Sequence, residues 1–166
     1  GEGYEITTYR IDGEYSDSRK PDEVTFSNSI EEDLSRRDFT INAIAYNKER
    51  GFIDLFDGIK DMNEKTIRTV NNADERFNED ALRMMRAVRF SSQLGFDIEE
   101  ETFKAINNNK ESINNVSKER IQSELNKVLL SDNASKGILT LQESGLLKEI
   151  LLELEECVGF DQKNPN

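Results

Sequence analysis

Asn72-Ala73-Asp74-Glu75-Arg76-Phe77-Asn78-Glu79-Asp80-Ala81-Leu82-Arg83-Met84-Met85-Arg86-Ala87-Val88 is the stretch whose reading decides the fold. At 3.6 residues per turn, Phe77, Ala81, Met84, Met85 and Val88 fall on one side, and Arg76, Glu79, Asp80, Arg83 and Arg86 share the opposite arc. The spacing predicts a two-faced helix over 73–94. Asn72 with Glu75 supplies the capping box that starts it, and Gly95 ends it after Leu94. Asp97 with Glu100 repeats the capping pattern, and further helices are expected near 98–109, 117–130, 133–144 and 146–156.

Upstream the character changes. Tyr4–Ile11 is rich in Thr, Tyr and Ile and reads as a strand, followed by a polar connection from Asp12 to Asp22 and a short strand near Glu23–Phe26. Ser29 and Glu32 cap a short helix running through Arg37. Ile41–Tyr46 and Gly51–Phe56, joined by Asn47-Lys48-Glu49-Arg50, read as a hairpin. The fold class is therefore α+β, with a small β-containing part followed by a mostly α-helical array. A strand so close to Gly1 is expected to find partners among residues ahead of it, and the ending Gly159–Asn166 reads as a loop or linker.

Composition narrows the chemistry. The 166 residues include no histidine and one cysteine, Cys157, so a Cys/His zinc site, a histidine base and an internal disulfide are all excluded within this sequence. Any general base here is a carboxylate. A net charge of -12 repels phosphate backbones over the surface as a whole, yet arginines gather at Arg36-Arg37 and at Arg76, Arg83, Arg86 and Arg89. No apolar run approaches the roughly 20 residues of a membrane span. The first residues also lack the basic-then-apolar pattern of a signal peptide, so the expectation is a cytoplasmic protein.

Two constellations can bind a nucleotide. Cytosine and adenine each present an exocyclic amino donor beside a ring-nitrogen acceptor; Asp80 can accept from the first while Arg83 donates to the second. Uracil and guanine reverse that order and would leave buried polar groups unpaired, at about 1 to 3 kcal/mol each. The same residues also fit a solvated face held by Glu79 to Arg83 at i,i+4 and Asp80 to Arg83 at i,i+3. In the first cluster, Arg36 and Arg37 project about 100° apart on a helix, so one of them is expected to share a pocket with Asp38 or Asn42. Guanidinium forks suit phosphate oxygens, and Asn42 can hydrogen-bond a sugar hydroxyl. The alternative is a surface helix end whose arginines answer the C-terminal dipole. Glu23 and Asp38 are candidate metal-ligand carboxylates, of the kind that hold Mg2+ together with substrate phosphates.

Taken together, these segments resemble the class II tRNA nucleotidyltransferase (CCA-adding enzyme) and bacterial poly(A) polymerase family. Arg36-Arg37-Asp38-Phe39-Thr40-Ile41-Asn42-Ala43 is similar to the motif associated with triphosphate and ribose. Asp54-Leu55-Phe56-Asp57-Gly58 looks like the join between catalytic head and neck. Glu79-Asp80-Ala81-Leu82-Arg83 is similar to the base-recognising motif, and Val116-Ser117-Lys118-Glu119-Arg120-Ile121 to a helix-ordering one. The resemblance implies a head part over 1–57, a helical neck over 58–130 and the start of a body over 131–166. It implies addition of C and/or A from CTP and ATP to a tRNA 3' end, with Mg2+ and release of pyrophosphate. Nucleotide contacts would come from Arg36, Arg37, Asn42, Asp80, Arg83, Arg86 and Arg89, with Asp38 or Glu23 as a third catalytic carboxylate. The family's Gly-Gly turn and Asp-x-Asp metal pair have no counterpart in these residues, so the chain by itself is expected to be catalytically silent. A poly(A) polymerase, and a helical RNA-binding module without chemistry, are the alternatives.

Overall fold

A computed structural model of the chain describes residues 8–12, 24–26 and 28–159. β1 (Arg10–Asp12) pairs antiparallel with β2 (Val24–Phe26). Residues 4–7 of the first expected strand lie outside the described residues, as do most of the 12–22 connection, Glu23 and the ending from Phe160 onward.

The local rules then take over. Ser29 Oγ accepts the N–H of Glu32 at 3.3 Å and starts α1 (Ile30–Ser35), which ends two residues earlier than expected because the backbone leaves the helix at Arg36. A 3-10 turn over Thr40–Asn42 leads into β3 (Ile44–Asn47), which pairs antiparallel with β4 (Gly51–Asp54). The expected hairpin thus begins three residues late. Its first residues are wound instead, since Thr40 N–H is drawn to Arg68 O at 2.9 Å and Asn42 N–H to Phe39 O at 2.9 Å. Asp54 then accepts the N–H groups of Gly58 and Ile59 at 2.7 and 2.8 Å, starting α2 (Gly58–Asn63), an element without a sequence-level expectation.

β5 (Thr66–Ile67) precedes α3 (Ala73–Glu79), and Asn72 Oδ1 caps α3 by accepting from Glu75 N at 3.0 Å. α4 (Leu82–Leu94) follows and ends at Gly95, whose φ of 69° is the left-handed conformation glycine adopts freely. The single helix expected over 73–94 is therefore two. The break falls at Asp80, which is extended at φ -146° and ψ 103° and whose Oδ1 accepts the N–H of Leu82 at 3.1 Å. β6 (Asp97–Ile98) runs parallel to β5, which draws Asp97 into a strand pair; the residue that caps α5 (Glu100–Asn109) is Glu99, accepting from Thr102 N at 2.7 Å. The expected Asp97–Glu100 box is corrected accordingly. A 3-10 segment over Lys110–Asn115 leads to α6 (Lys118–Leu129) and α7 (Ala134–Glu143). The last expected helix divides at Leu151 into α8 (Leu146–Ile150) and α9 (Leu152–Glu155).

Phe77, Met84, Met85 and Val88 are fully buried, joined by Ile106, Ile113, Val128, Leu141 and Leu146 from the later helices. Complete burial of each large apolar side chain contributes roughly 1.5 to 3 kcal/mol. Phe39 and Ile67 reach into the same core from outside the helical array. The backbone anchors them there: Phe39 bridges Thr69, and Val70 N–H donates to Asp38 O at 3.0 Å. This seam sets the Arg36–Asn42 segment against α4. Among the described residues, no helix is long and apolar enough to cross a membrane.

Candidate functional site

Where the Arg36–Asn42 segment meets α4 and α6 lies a cavity of about 520 Å³, lined by Arg36, Arg37, Asp38, Asn42, Asp80, Leu82, Arg83, Arg86, Phe90 and Arg120. Five of these are arginines and two are aspartates, so the pocket is locally cationic in a chain whose overall charge is -12. The volume suits a small ligand, and the charge suits an anionic one.

Each guanidinium is held by a carboxylate. Asp33, on α1 beneath the pocket, receives Arg36 Nη2 at 2.5 Å on one oxygen and Arg37 Nη2 at 3.0 Å on the other. Both arginines therefore line the cavity, against the expectation of one. The 100° separation does not apply, because Arg37 lies beyond the helix end. Burial pushes the Asp33 carboxyl upward, but hydrogen bonds and charge from Arg36 and Arg37 outweigh it and hold it below its ordinary value of 3.8. A carboxyl depressed on folding contributes stability that is present above 3.8 and lost as pH falls through the lower folded value. Asp33→Asn is accordingly expected to cost about 1 to 3 kcal/mol at pH 7. The gap to the wild type should close as pH drops below the ordinary carboxylate range. Denaturation curves at pH 7 and in steps below pH 4 check this; two parallel pH profiles would contradict it.

Asp38 is fully subscribed. Its Oδ1 accepts from Phe39 N at 2.9 Å and Asn42 Nδ2 at 3.2 Å, and its Oδ2 takes Arg86 through Nε at 2.7 Å and Nη2 at 2.5 Å. Those contacts occupy its four lone-pair directions. No group of three or more Cys, Asp or Glu side chains able to hold a metal converges among the described residues, and Glu23 lies outside them. The described residues do not by themselves fit a Mg2+ site.

On the opposite wall, Glu79 carries two arginines: Oε1 pairs with Arg76 and Oε2 with Arg83 Nη1 at 2.5 Å. The expected Glu79–Arg83 pair is present. The Asp80–Arg83 ion pair is not, because the break at Asp80 turns its carboxylate toward α6, where Arg120 Nη2 donates to Oδ2 at 2.9 Å. Arg83 also donates to Arg76 O at 3.1 Å and Arg36 O at 3.3 Å. Three of its five N–H groups are so used, leaving Nε–H and one Nη2 hydrogen for a ligand. Asp80 likewise keeps a second lone pair on each oxygen. Both residues still present a donor and an acceptor to the same cavity.

Arg89 does not join them. It is directed to Glu124 of α6 at 2.6 Å and stacks on Phe90 with its Cζ 4.0 Å from the ring centroid, so it ties α4 to α6 instead of lining the pocket. Arg120 and Phe90 line the cavity without belonging to either charge cluster of the sequence. For Arg120 a signal existed in the Val116–Ile121 motif, although its pairing with a residue 40 positions away depends on how α6 packs on α4.

The structure thus places a locally cationic pocket at the junction of the Arg36–Asn42 segment and the helical array. Residues 1–68 match the family model for the poly(A) polymerase head domain, and residues 95–158 that for a probable RNA and SrmB-binding site of polymerase A. The chain is 48% identical over 164 residues to the CCA-adding enzyme of Pediococcus pentosaceus, covering 99% of this chain and 40% of that protein. It is 50% identical over 163 residues to that of Lactobacillus delbrueckii subsp. bulgaricus, covering 98% and 39%. Among solved structures it is similar to the Bacillus stearothermophilus CCA-adding enzyme in complex with CTP. There the TM-score is 0.86 and the identity 42%, with 96% of this chain and 38% of that chain covered. The chain belongs to the class II tRNA nucleotidyltransferase and bacterial poly(A) polymerase family. It spans about 40% of the length of the curated relatives it matches.

Proposed function

We propose that the full-length protein is a template-independent RNA nucleotidyltransferase of the cytoplasm that adds C and A to tRNA 3' ends, consuming CTP and ATP and releasing pyrophosphate. The observation that carries the reading is the single cavity lined by Asp80 and Arg83 together with Arg36 and Arg37. In this proposal the arginines of the first segment bind the triphosphate, Asn42 the sugar, and Asp80 with Arg83 the amino and ring-nitrogen edge that C and A share. Arg86 and Asp38 fix the floor between them through their ion pair. Mg2+ is assigned to the reaction of the full-length protein and not to the described residues, whose part is positioning and charge neutralisation. Residues 1–57 are assigned to the head, 58–130 to the neck and 131–166 to the body.

The test uses full-length protein, a tRNA lacking its terminal CCA, and each nucleoside triphosphate singly and in pairs. CTP is expected to be incorporated alone and ATP only after it, with UTP and GTP rejected. Long A tails without CTP use would identify a poly(A) polymerase. No incorporation under any condition would leave a helical RNA-binding module.

A further inference from the structure

α1 ends at Ser35, where the helix's own ladder of backbone donors runs out. Guanidinium groups of the helical array reach its end: Arg76 Nη1 donates to Ser35 O at 3.3 Å, and Arg83 Nη2 to Arg36 O, the next carbonyl, at 3.3 Å. Arg76 sits on α3, does not line the cavity, and has a side chain only 13% exposed. Its second nitrogen pairs with Glu79, the same carboxylate that holds Arg83 at 2.5 Å, and its own carbonyl accepts from Arg83. One guanidinium thus joins the end of the segment bearing Arg36 and Arg37 to the group that aims Arg83.

We infer that Arg76 is a positioning residue for nucleotide selection, a strut that keeps Arg36 and Arg37 in register with Arg83. The inference rests on the nucleotide-selecting reading of the cavity. Its chemistry requires arginine: a planar fork serves a carboxylate and a carbonyl on separate nitrogens, whereas a lysine ammonium is a single point that cannot span both. Without the strut, a ligand that touches only the phosphate end loses little. A ligand that must be held at both ends loses the cost of restoring their alignment.

The experiment compares equilibrium binding of CTP, UTP and inorganic triphosphate to full-length wild type, Arg76→Ala and Arg76→Lys, with circular dichroism to establish folding. Arg76→Ala is expected to lower the CTP-over-UTP affinity ratio by roughly two- to thirtyfold. Triphosphate affinity should stay within about twofold of wild type. Arg76→Lys should keep the charge without recovering the ratio, and it decides the question if the alanine variant does not fold. An unchanged ratio in a folded variant, or an equal loss of CTP and triphosphate, overturns the inference while wild-type selectivity leaves the proposed function standing. A wild type that does not prefer CTP to UTP overturns both.

Discussion

Arg83→Ala in the full-length protein is expected to lower kcat/KM for CTP by one to two decades, the equivalent of about 1 to 3 kcal/mol for a lost donor to the ring nitrogen of the base. The CTP-to-UTP preference should narrow at the same time, because arginine no longer opposes the ring N–H of uracil. The geometry makes this more than a surface ion pair. Three N–H groups of Arg83 are committed to Glu79, Arg76 O and Arg36 O, which fixes the plane of the guanidinium and leaves its remaining two donors pointing from a preset position. The side chain is 11% exposed, far from the solvated state in which such pairs count for little. Single-turnover incorporation of CTP, ATP and UTP by wild type and variant measures both effects. A loss of rate with the CTP-to-UTP ratio intact would falsify base reading by Arg83 and reduce the residue to a structural tie.

The elements that were legible in the sequence are those written in local rules. Ser29 with Glu32 and Asn72 with Glu75 announce two helix starts that the backbone realises, and Gly95 announces a stop. Phe77, Ala81, Met84, Met85 and Val88 share a buried face despite the break between α3 and α4. The break itself leaves no mark in the periodicity, which is insensitive to a single extended residue. Its signal was Asp80 standing just ahead of a new apolar turn, a position where an Asp oxygen can take the first free N–H groups. β5 and β6 contain two residues each and carry no alternating pattern, so only the tertiary seam reveals them. The cavity shows the same division. Arg36, Arg37, Asp38, Asn42, Asp80, Arg83 and Arg86 stand out as charge clusters and line one pocket, whereas Arg120 arrives on a separate helix. Arg89 belongs to the same charged run but turns to Glu124, since successive helical positions point in different directions and only packing decides which of them finds the cavity.

Gly58→Ala is expected to destabilise the chain by about 3 kcal/mol, at the upper end of the range for overpacking. A methyl group placed there would lie 2.2 Å from the backbone oxygen of Thr40 and 2.8 Å from Ile44 Cγ1, so the backbone itself has to give way. Thr40 has little room to do so. Its N–H is bound to Arg68 O at 2.9 Å, and its hydroxyl donates to the buried Asp61 at 2.7 Å, which Arg68 also engages at 3.1 Å. For a chain of this size the loss corresponds to a fall in Tm of roughly 6 to 12 °C. Gly51→Ala supplies the contrast: its φ of 75° disfavours a side chain, but nothing lies within 4 Å of the added carbon. That variant should lose only about 1 kcal/mol. Displacing Thr40 also shifts the turn that carries Asn42 and Asp38, so Gly58→Ala should weaken nucleotide binding in the fraction that remains folded, while Gly51→Ala should leave it intact. Thermal unfolding of both variants, followed by CTP titration well below each Tm, distinguishes a glycine required for close approach from one required for its backbone angle. Equal losses in the two variants would show that the contact with Thr40 is not what selects glycine at this position.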